Sequence, residues 1–503
     1  MKSKHFDIFS HVGITPKKIH HNEIRSVIHA FEKKNEQYWQ KEGFKKALRI
    51  FHAASKRIPA YADFLKKNKF DPHSVMTLKD FERIPILTKH NYIEQYPLID
   101  RMWERRSDLS SMVASSSGTT GEAIFWPRGH SQETEATIFH ELIYRELFST
   151  EKKSTLVIIG FPMGVYVSGL ATVLPSWAVS ASGHRLTLVS PGMNKVEIIR
   201  SMEEMSKLYE QTILIGHPFF LKDVLETALQ KNTKLQSYNL RLLCCSEAFS
   251  EEWRSYVSKI FTKEKTPSIF STYGSSEFLL IGTETTFSIA IKNLFEKNTR
   301  QCMDMFSTEI VPAIFQYNPL IRYIEEDQGN LLFTANSGIP LVRYALGDRG
   351  SLLKYEETKN LLSSRELKNL SKWKLPLVAL KGRSDYAVIF YGANIYIEHI
   401  RSALEHKEFF PSITGKFRMG VFPNKQMDPV LQINIELHDH IKPSLQLAEK
   451  IREHVSKHLL QINIEYSSSV QHVEKDLKPQ IYLHTYQSQP YFTPGLKPNY
   501  IIK

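Results

Sequence analysis

Between residues 155 and 275, short apolar runs alternate with helix-like segments, and no other feature constrains the fold as strongly. The strand candidates are 155–159, 185–189, 212–215, 240–245 and 267–272. Between them, 196–209 and 219–229 have helical periodicity, with Leu221, Val224, Leu225, Ala228 and Leu229 on one face. This alternation predicts α/β layers around a largely parallel sheet, because parallel strands need crossover connections that cover both faces. A chain of 503 residues exceeds one core, so two to four domains are expected. Upstream, 22–56 reads as helix, with Phe31, Trp39, Phe44, Leu48 and Phe51 recurring between charged residues. Residues 61–100 read as short helices with turns at Asp71-Pro72 and Ile84-Pro85. After 280, strands are expected at 305–315, 330–334 and 350–354. From about 384 the pattern changes again, with strands at 414–422 and 430–437, an amphipathic helix at 444–460, and a strand pair at 461–466 and 469–473. The expected division is a large α/β domain over 1–383 and a small α+β domain over 384–503.

Composition narrows the class. Hydrophobic residues at 42% and charged residues at 23% fit a soluble globular chain. Three cysteines, two of them the adjacent Cys244 and Cys245 in an apolar run, cannot build a disulfide framework and read as small buried hydrophobes. This fits a reducing compartment and predicts a cytoplasmic protein. Residues 154–183 carry no charge, long enough to span a bilayer, but Pro162, Pro175 and several Gly and Ser residues favour a buried strand, a turn and a buried helix. No membrane span is expected. The net charge of +12 is uneven, with 13 Lys/Arg against 5 Asp/Glu in residues 1–60. That excess fits solvated helix faces, or attraction to a polyphosphate cofactor or an acidic carrier protein. No nucleic-acid motif accompanies it, and nucleic acid is not an expected partner. His20-His21 and His438-Asp439-His440 lack a matching ligand set, so no metal is assigned to them.

Six polar segments stand out. Ser115-Ser116-Ser117-Gly118-Thr119-Thr120-Gly121 can fold around a phosphate, because the glycines permit positive φ and successive N–H and hydroxyl groups can point inward. It lacks the Lys-Ser/Thr ending of a Walker A motif, and alone it also fits a plain surface turn. The others are Ser246-Glu247-Ala248-Phe249, Tyr273-Gly274-Ser275-Ser276-Glu277, Arg343-Tyr344-Ala345-Leu346-Gly347-Asp348, Gly382-Arg383-Ser384-Asp385 and Pro494-Gly495-Leu496-Lys497. Each follows a strand-like run or lies between elements, where α/β proteins place their sites.

In this order the segments resemble the adenylate-forming superfamily of acyl- and aryl-CoA ligases, adenylation domains and luciferases, and within it the phenylacetate–CoA ligase-like group. The resemblance spans roughly residues 45–503. It implies a large layered α/β domain of the acyl-CoA ligase type with a small, mobile α+β C-terminal domain. It further implies that a small-molecule carboxylic acid attacks the α-phosphorus of ATP, giving an acyl-adenylate and pyrophosphate. The acyl group then passes to a thiol of CoA or of a carrier protein's phosphopantetheine.

Residue by residue, Ser116, Ser117, Gly118, Thr119, Thr120 and Gly121 would cradle the β- and γ-phosphates. Ser246, Glu247, Ala248 and Tyr273 would flank the adenine, and Ser276 would supply a hydroxyl to the nucleotide. Glu277 would hold Mg²⁺, Asp348 would accept from the ribose hydroxyls, and Arg383 would contact the nucleotide near the domain boundary. Lys497 would neutralise charge at the α-phosphate, and Asp385 would be the hinge. The acid would lie among 161–170, 217–221, 246–249 and 273–280, where Phe161, Tyr166, Phe219, Phe220 and Phe278 suit an aromatic or bulky apolar acid or serve as ordinary core. The sequence departs from the pattern at Glu122, Ala123, Tyr386, Ile389, Tyr391 and the Gly-Leu-Lys terminus. Two alternatives therefore stay open: an amine acceptor, and a non-catalytic nucleotide- or acyl-binding relative.

Overall fold

The computed structural model describes residues 26–502 apart from 28, 32, 117–123, 265–266, 309, 384–386, 392, 425–427, 464–465, 468–469, 471–475 and 494–498. A hairpin of β1 (Ser110–Ser115) and β2 (Phe125–Gly129) precedes the main sheet. The main sheet is built from β3 (Thr155–Gly160), β4 (Leu186–Val189), β5 (Gln211–Gly216), β6 (Leu240–Cys245), β7 (Ile269–Ser275), β8 (Leu279–Thr283), β9 (Ala313–Tyr317), β10 (Tyr323–Asp327), β11 (Asn330–Ala335), β12 (Leu341–Leu353) and β13 (Leu377–Arg383). Their spatial order is β10-β11-β12-β13-β9-β8-β7-β6-β5-β3-β4 among the described residues. From β4 to β7 every pairing is parallel, and from β7 to β10 every pairing is antiparallel.

The continuous apolar runs have a direct explanation. Along β3, Val157 and Ile159 enter one core with Ile213, Ile215 and Leu243, while Leu156 and Ile158 enter another with Leu214, Leu242 and Cys244. Successive side chains point to opposite faces, and helices cover both. The first core is closed by the helix His130–Phe148, through Ile138, Phe139 and Leu142. The second is closed by the helices Lys195–Met205, Pro218–Gln230 and Glu251–Phe261, through Met202, Leu225 and Trp253. The expected α/β class holds, and so do the strands and helices read between 155 and 275, with shifts of a few residues at their ends.

Beyond β13 a separate C-terminal domain has its own core, from Phe390 to Tyr500. It contains β14 (Ala387–Phe390), β15 (Ala393–Tyr396), β16 (Ile413–Pro423), β17 (Pro429–Leu437) and β18 (Gln480–His484), with the helices Ile397–Leu404 and Leu445–Ile462. The segment after Asn499 lies along β16: Met419 N–H donates to Tyr500 O at 2.6 Å and Ile502 N–H to Met419 O at 2.7 Å.

Three expectations are corrected. Helix 22–56 is interrupted at Asn35, whose side chain caps a new helix, Glu36–Arg57, by accepting from Tyr38 N–H. Residues 305–315 do not form one strand: Met305 and Phe306 close the helix Thr299–Phe306, Ser307 takes a left-handed conformation, and β9 begins only at Ala313. Residues 461 and 462 extend the preceding helix and 466–467 are helical, so the described part of 461–473 forms no strand pair. The uncharged run 154–183 divides into β3, a turn and the helix Val167–Ala181. No described helix is long and apolar enough to cross a membrane.

Candidate active site

The parallel strands reverse their order around β3, with β4 on one side and β5 on the other. Ligands of open α/β sheets bind beyond the C-terminal strand ends near such a reversal. A cleft of about 1160 Å³ opens there, and its lining includes Phe161 after β3, His217 after β5, Ser246 after β6 and Gly274–Glu277 at the end of β7. Gly347 and Tyr344 of β12, Arg383 of β13 and Ser116 after β1 line the same cleft, as do Asn499 and Ile501 of the C-terminal domain.

Local structure explains how these groups reach the cleft. Ser116 N–H donates to Ile124 O at 3.0 Å, and Ile124 N–H donates to Ser116 Oγ at 2.9 Å, pinning both ends of the Ser/Thr/Gly loop. Ser246 turns the chain out of β6 with φ of 78°, a left-handed conformation unusual for a residue with a Cβ, and its side chain is exposed. Gly274 sits in the β7–β8 hairpin, where a Cβ would lie 2.7 Å from Leu279 O. Gly274→Ala must therefore displace the Ser275–Glu277 turn. Should the chain catalyse the acid-dependent pyrophosphate exchange that its motifs imply, this variant is expected to lose roughly 10²-fold of it, as for misplacement by about an ångström. An unchanged rate would show that the turn need not be fixed.

The electrostatics centre on Asp348 and Glu277. Asp348 is buried, accepts from the Tyr273 hydroxyl and pairs with Arg383 Nη1 at 3.5 Å. The β12–β13 register places Asp348 opposite Arg383. Tyr273 is buried behind the cleft, its ring stacked on Phe315 at 5.6 Å, and burial raises its hydroxyl pKa well above the usual value. Glu277 is half-buried, and desolvation raises its carboxyl pKa despite opposing hydrogen bonds and the Arg383 charge. Behind it, Arg322 Nε donates to Phe278 O at 2.8 Å and fixes the backbone of the turn.

The structure thus brings Ser116, Ser246, Ser276, Glu277 and Arg383 to one cleft, with Asp348 and Tyr273 immediately behind them. Glu247 faces the C-terminal domain, where its carboxylate accepts from the Tyr500 hydroxyl, and Ala248 follows it away from the lining. Ser117, Gly118, Thr119, Thr120, Gly121, Asp385 and Lys497 lie outside the described residues. Asn499, two positions after Lys497, lines the cleft. Phe219 and Phe278 are core rather than cleft: Phe219 packs on Trp253 and Phe278 on Phe333. Sequence reasoning missed Trp126 and His140, which also line the cleft. No motif marks them, since they arrive from β2 and the following helix.

The C-terminal domain is tied to the large one near the cleft. Ser250 N–H donates to Glu405 Oε2 at 2.6 Å, and Lys407 N–H donates to Glu252 Oε1 at 2.9 Å. Lys222, buried in the helix Pro218–Gln230, reaches Glu226 Oε2 at 3.0 Å, Phe410 O at 3.1 Å and His438 Nε2 at 2.9 Å. Burial and the Lys222 charge push the His438 pKa down to about 3. An unfolded histidine takes up a proton near pH 6.5, so the contribution of neutral His438 is complete above that value. It is lost as pH falls toward 3. The urea midpoint is expected to fall on acidification through this window, and His438→Gln should flatten the fall. Identical pH profiles would contradict the assignment.

With a TM-score of 0.66 and 15% sequence identity, the chain is similar to a 2-hydroxyisobutyryl-CoA ligase solved in the postadenylation state in complex with R3-HIB-AMP, over 94% of this chain and 91% of that one. The chain has the fold of an acyl-CoA ligase. A second structure of that ligase, in the postadenylation state with 2-HIB-AMP, gives a TM-score of 0.65 at 14% identity over the same shares. In the thioesterification state, with 2-HIB-AMP and CoA, the ligase gives 0.54 at 16% identity, again over the same shares. No family model matches the sequence, and no curated protein does. The acyl-CoA ligase fold accounts for the large layered sheet and the separate C-terminal domain.

Proposed function

We propose that this chain is an ATP-dependent ligase that activates a carboxylic acid as its acyl-adenylate and transfers the acyl group to a thiol, with CoA as acceptor. The observation that carries the reading is the single cleft shared by Ser116, Ser246, Ser276, Glu277 and Arg383, with Asp348 directly behind Arg383. The similar ligase is named for CoA chemistry and was solved with an acyl-AMP and CoA. The motifs support the phenylacetate–CoA ligase-like branch, and the end of β13 supports a domain boundary at 383/384.

A carboxylate and a polyphosphate repel each other, so the site must hold both before reaction. The loop after Ser116 would take the β- and γ-phosphates, Asp348 the ribose hydroxyls, and Ser246 the base. Among the described residues no group of three or more His, Cys, Asp or Glu side chains could hold a metal ion. Glu277 fits Mg²⁺ in another way, as one carboxylate completed by substrate phosphates, and its desolvation favours an incoming cation. Mg²⁺ held there would supply neutralisation of the phosphate charge. The acid's carboxylate oxygen forms a bond to the α-phosphorus while the bond to the bridging oxygen breaks, and pyrophosphate leaves. Lys497 would stabilise the charge that builds at the α-phosphate. A thiolate then attacks the acyl carbon, and AMP leaves with the carboxylate oxygen.

The fit to the postadenylation structure at 0.66, against 0.54 for the thioesterification one, supports a C-terminal domain placed for the first half-reaction. Rotation about Asp385 would then admit the thiol. Isotope exchange between pyrophosphate and ATP, with Mg²⁺ and a panel of acids, tests the reading. Exchange that depends on the acid is expected. Nucleotide binding without exchange would favour a non-catalytic relative, and acyl transfer to amines but not to CoA would change the acceptor.

A further inference from the structure

One wall of the cleft is more specific than an apolar pocket requires. Trp126, Phe161, Val167, Ala171, Ile215 and Leu243 give it hydrophobic surface. Among them stands His140, on the helix His130–Phe148, with only 4% of its surface exposed. Its Nδ1 lies 2.8 Å from Ala136 O, one helical turn back. A carbonyl oxygen can only accept, so Nδ1 carries the proton. Burial pushes the His140 pKa down to about 4, so the ring is neutral at physiological pH and Nε2 holds a lone pair. Two hydroxyls of this helix and the next have partners of their own: Thr172 Oγ1 donates to Ser168 O at 2.8 Å, and the Tyr144 hydroxyl shares a hydrogen bond with Ser176 Oγ at 2.6 Å. A buried acceptor on an apolar wall is costly unless a donor meets it.

We propose that His140 Nε2 accepts a hydrogen bond from the acid substrate, so that this chain selects carboxylic acids whose apolar body carries a hydroxyl or amino donor. The inference rests on the acid site lying in this cleft, but it concerns recognition and does not need turnover. A donor-free acid would fill the same volume and leave Nε2 unpaired. Sites that hydrogen-bond a substrate donor discriminate strongly against the analogue lacking it. A methoxy acid, polar but without a donor, would be rejected as well.

The test uses the full-length protein and matched acids: benzoate and phenylacetate, with their hydroxy, amino and methoxy derivatives at each ring position. Binding is measured by calorimetry, and acid-dependent pyrophosphate exchange is measured in parallel. At least one hydroxy or amino acid is expected to bind about tenfold or more tighter than both its parent and its methoxy analogue. His140→Phe should abolish that preference while keeping affinity for the parent acid, and His140→Gln, which retains an acceptor, should restore part of it. Exchange with no donor preference in the wild-type protein would overturn the inference and leave the activation reading standing. Donor preference in binding without exchange would do the reverse, and no binding of any acid would overturn both. If neither variant folds, the wild-type ratios decide.

Discussion

Glu277→Gln is expected to lower acid-dependent pyrophosphate exchange by about 10²–10³-fold, the usual loss when one preorganised electrostatic contact to a transition state is removed. The substitution keeps the shape of the β7–β8 turn and the backbone anchor from Arg322 to Phe278 O. What it removes is a negative charge beside Arg383 and Asp348. The same charge burdens the unliganded protein. Desolvation raises the Glu277 pKa above its usual 4.5, so the folded state holds the proton more tightly than the unfolded one. The stability tied to the protonated form is present below pH 4.5 and lost as pH rises through the raised folded value. The glutamine variant escapes that loss, so at neutral pH it should unfold at an equal or higher temperature while nearly inactive. Exchange within a few-fold of wild type would remove Glu277 from the chemistry. A lowered unfolding temperature would instead make it structural.

Glu135→Leu is expected to destabilise the large domain by about 3–5 kcal/mol, with the urea midpoint reporting the change. Glu135 is buried on the helix His130–Phe148, where one oxygen pairs with Lys46 Nζ and the other with Arg322 Nη1 at 3.0 Å. Both cations are themselves buried. Removing the carboxylate takes a shared partner from two desolvated positive charges. Because Arg322 also holds the Phe278 carbonyl, the disturbance should reach the Glu277 turn and reduce exchange. Replacing the whole triad with apolar residues, as Lys46→Met, Glu135→Leu and Arg322→Met, should recover much of the stability but not the activity. A midpoint unchanged by Glu135→Leu alone would show that the triad contributes little.

The parallel half of the sheet was legible from sequence because its central strands, β3 and β5, are buried on both faces. β6, Leu240–Cys245, matches the apolar run residue for residue. The antiparallel half was harder. β12 carries Tyr344, Gly347 and Asp348 among alternating buried and part-exposed positions, and its polar residues disguised a strand that begins at Leu341. At 299–317, a helix that ends in a left-handed Ser307 lies only a few residues before β9, and one apolar pattern covers both. Around the cleft, the residues in polar turns after strands stood out, since a pure core has no need of Ser246 or Glu277. His140 did not, because a histidine on a helix face gives no sign of its partner until the fold shows Ala136 O and the cleft on either side of it. The roles of Glu247 and Tyr273 depended on neighbours distant in sequence, Tyr500 and Asp348.

The central claim is tested most directly by mixing the protein with ATP, Mg²⁺ and an acid it binds, omitting any thiol, and analysing the acid-quenched mixture by mass spectrometry. A compound with the mass of the acid joined to AMP should appear in amounts close to the enzyme, with one pyrophosphate released for each. Release of ADP and phosphate, or no nucleotide product while both ligands stay bound, would contradict the account.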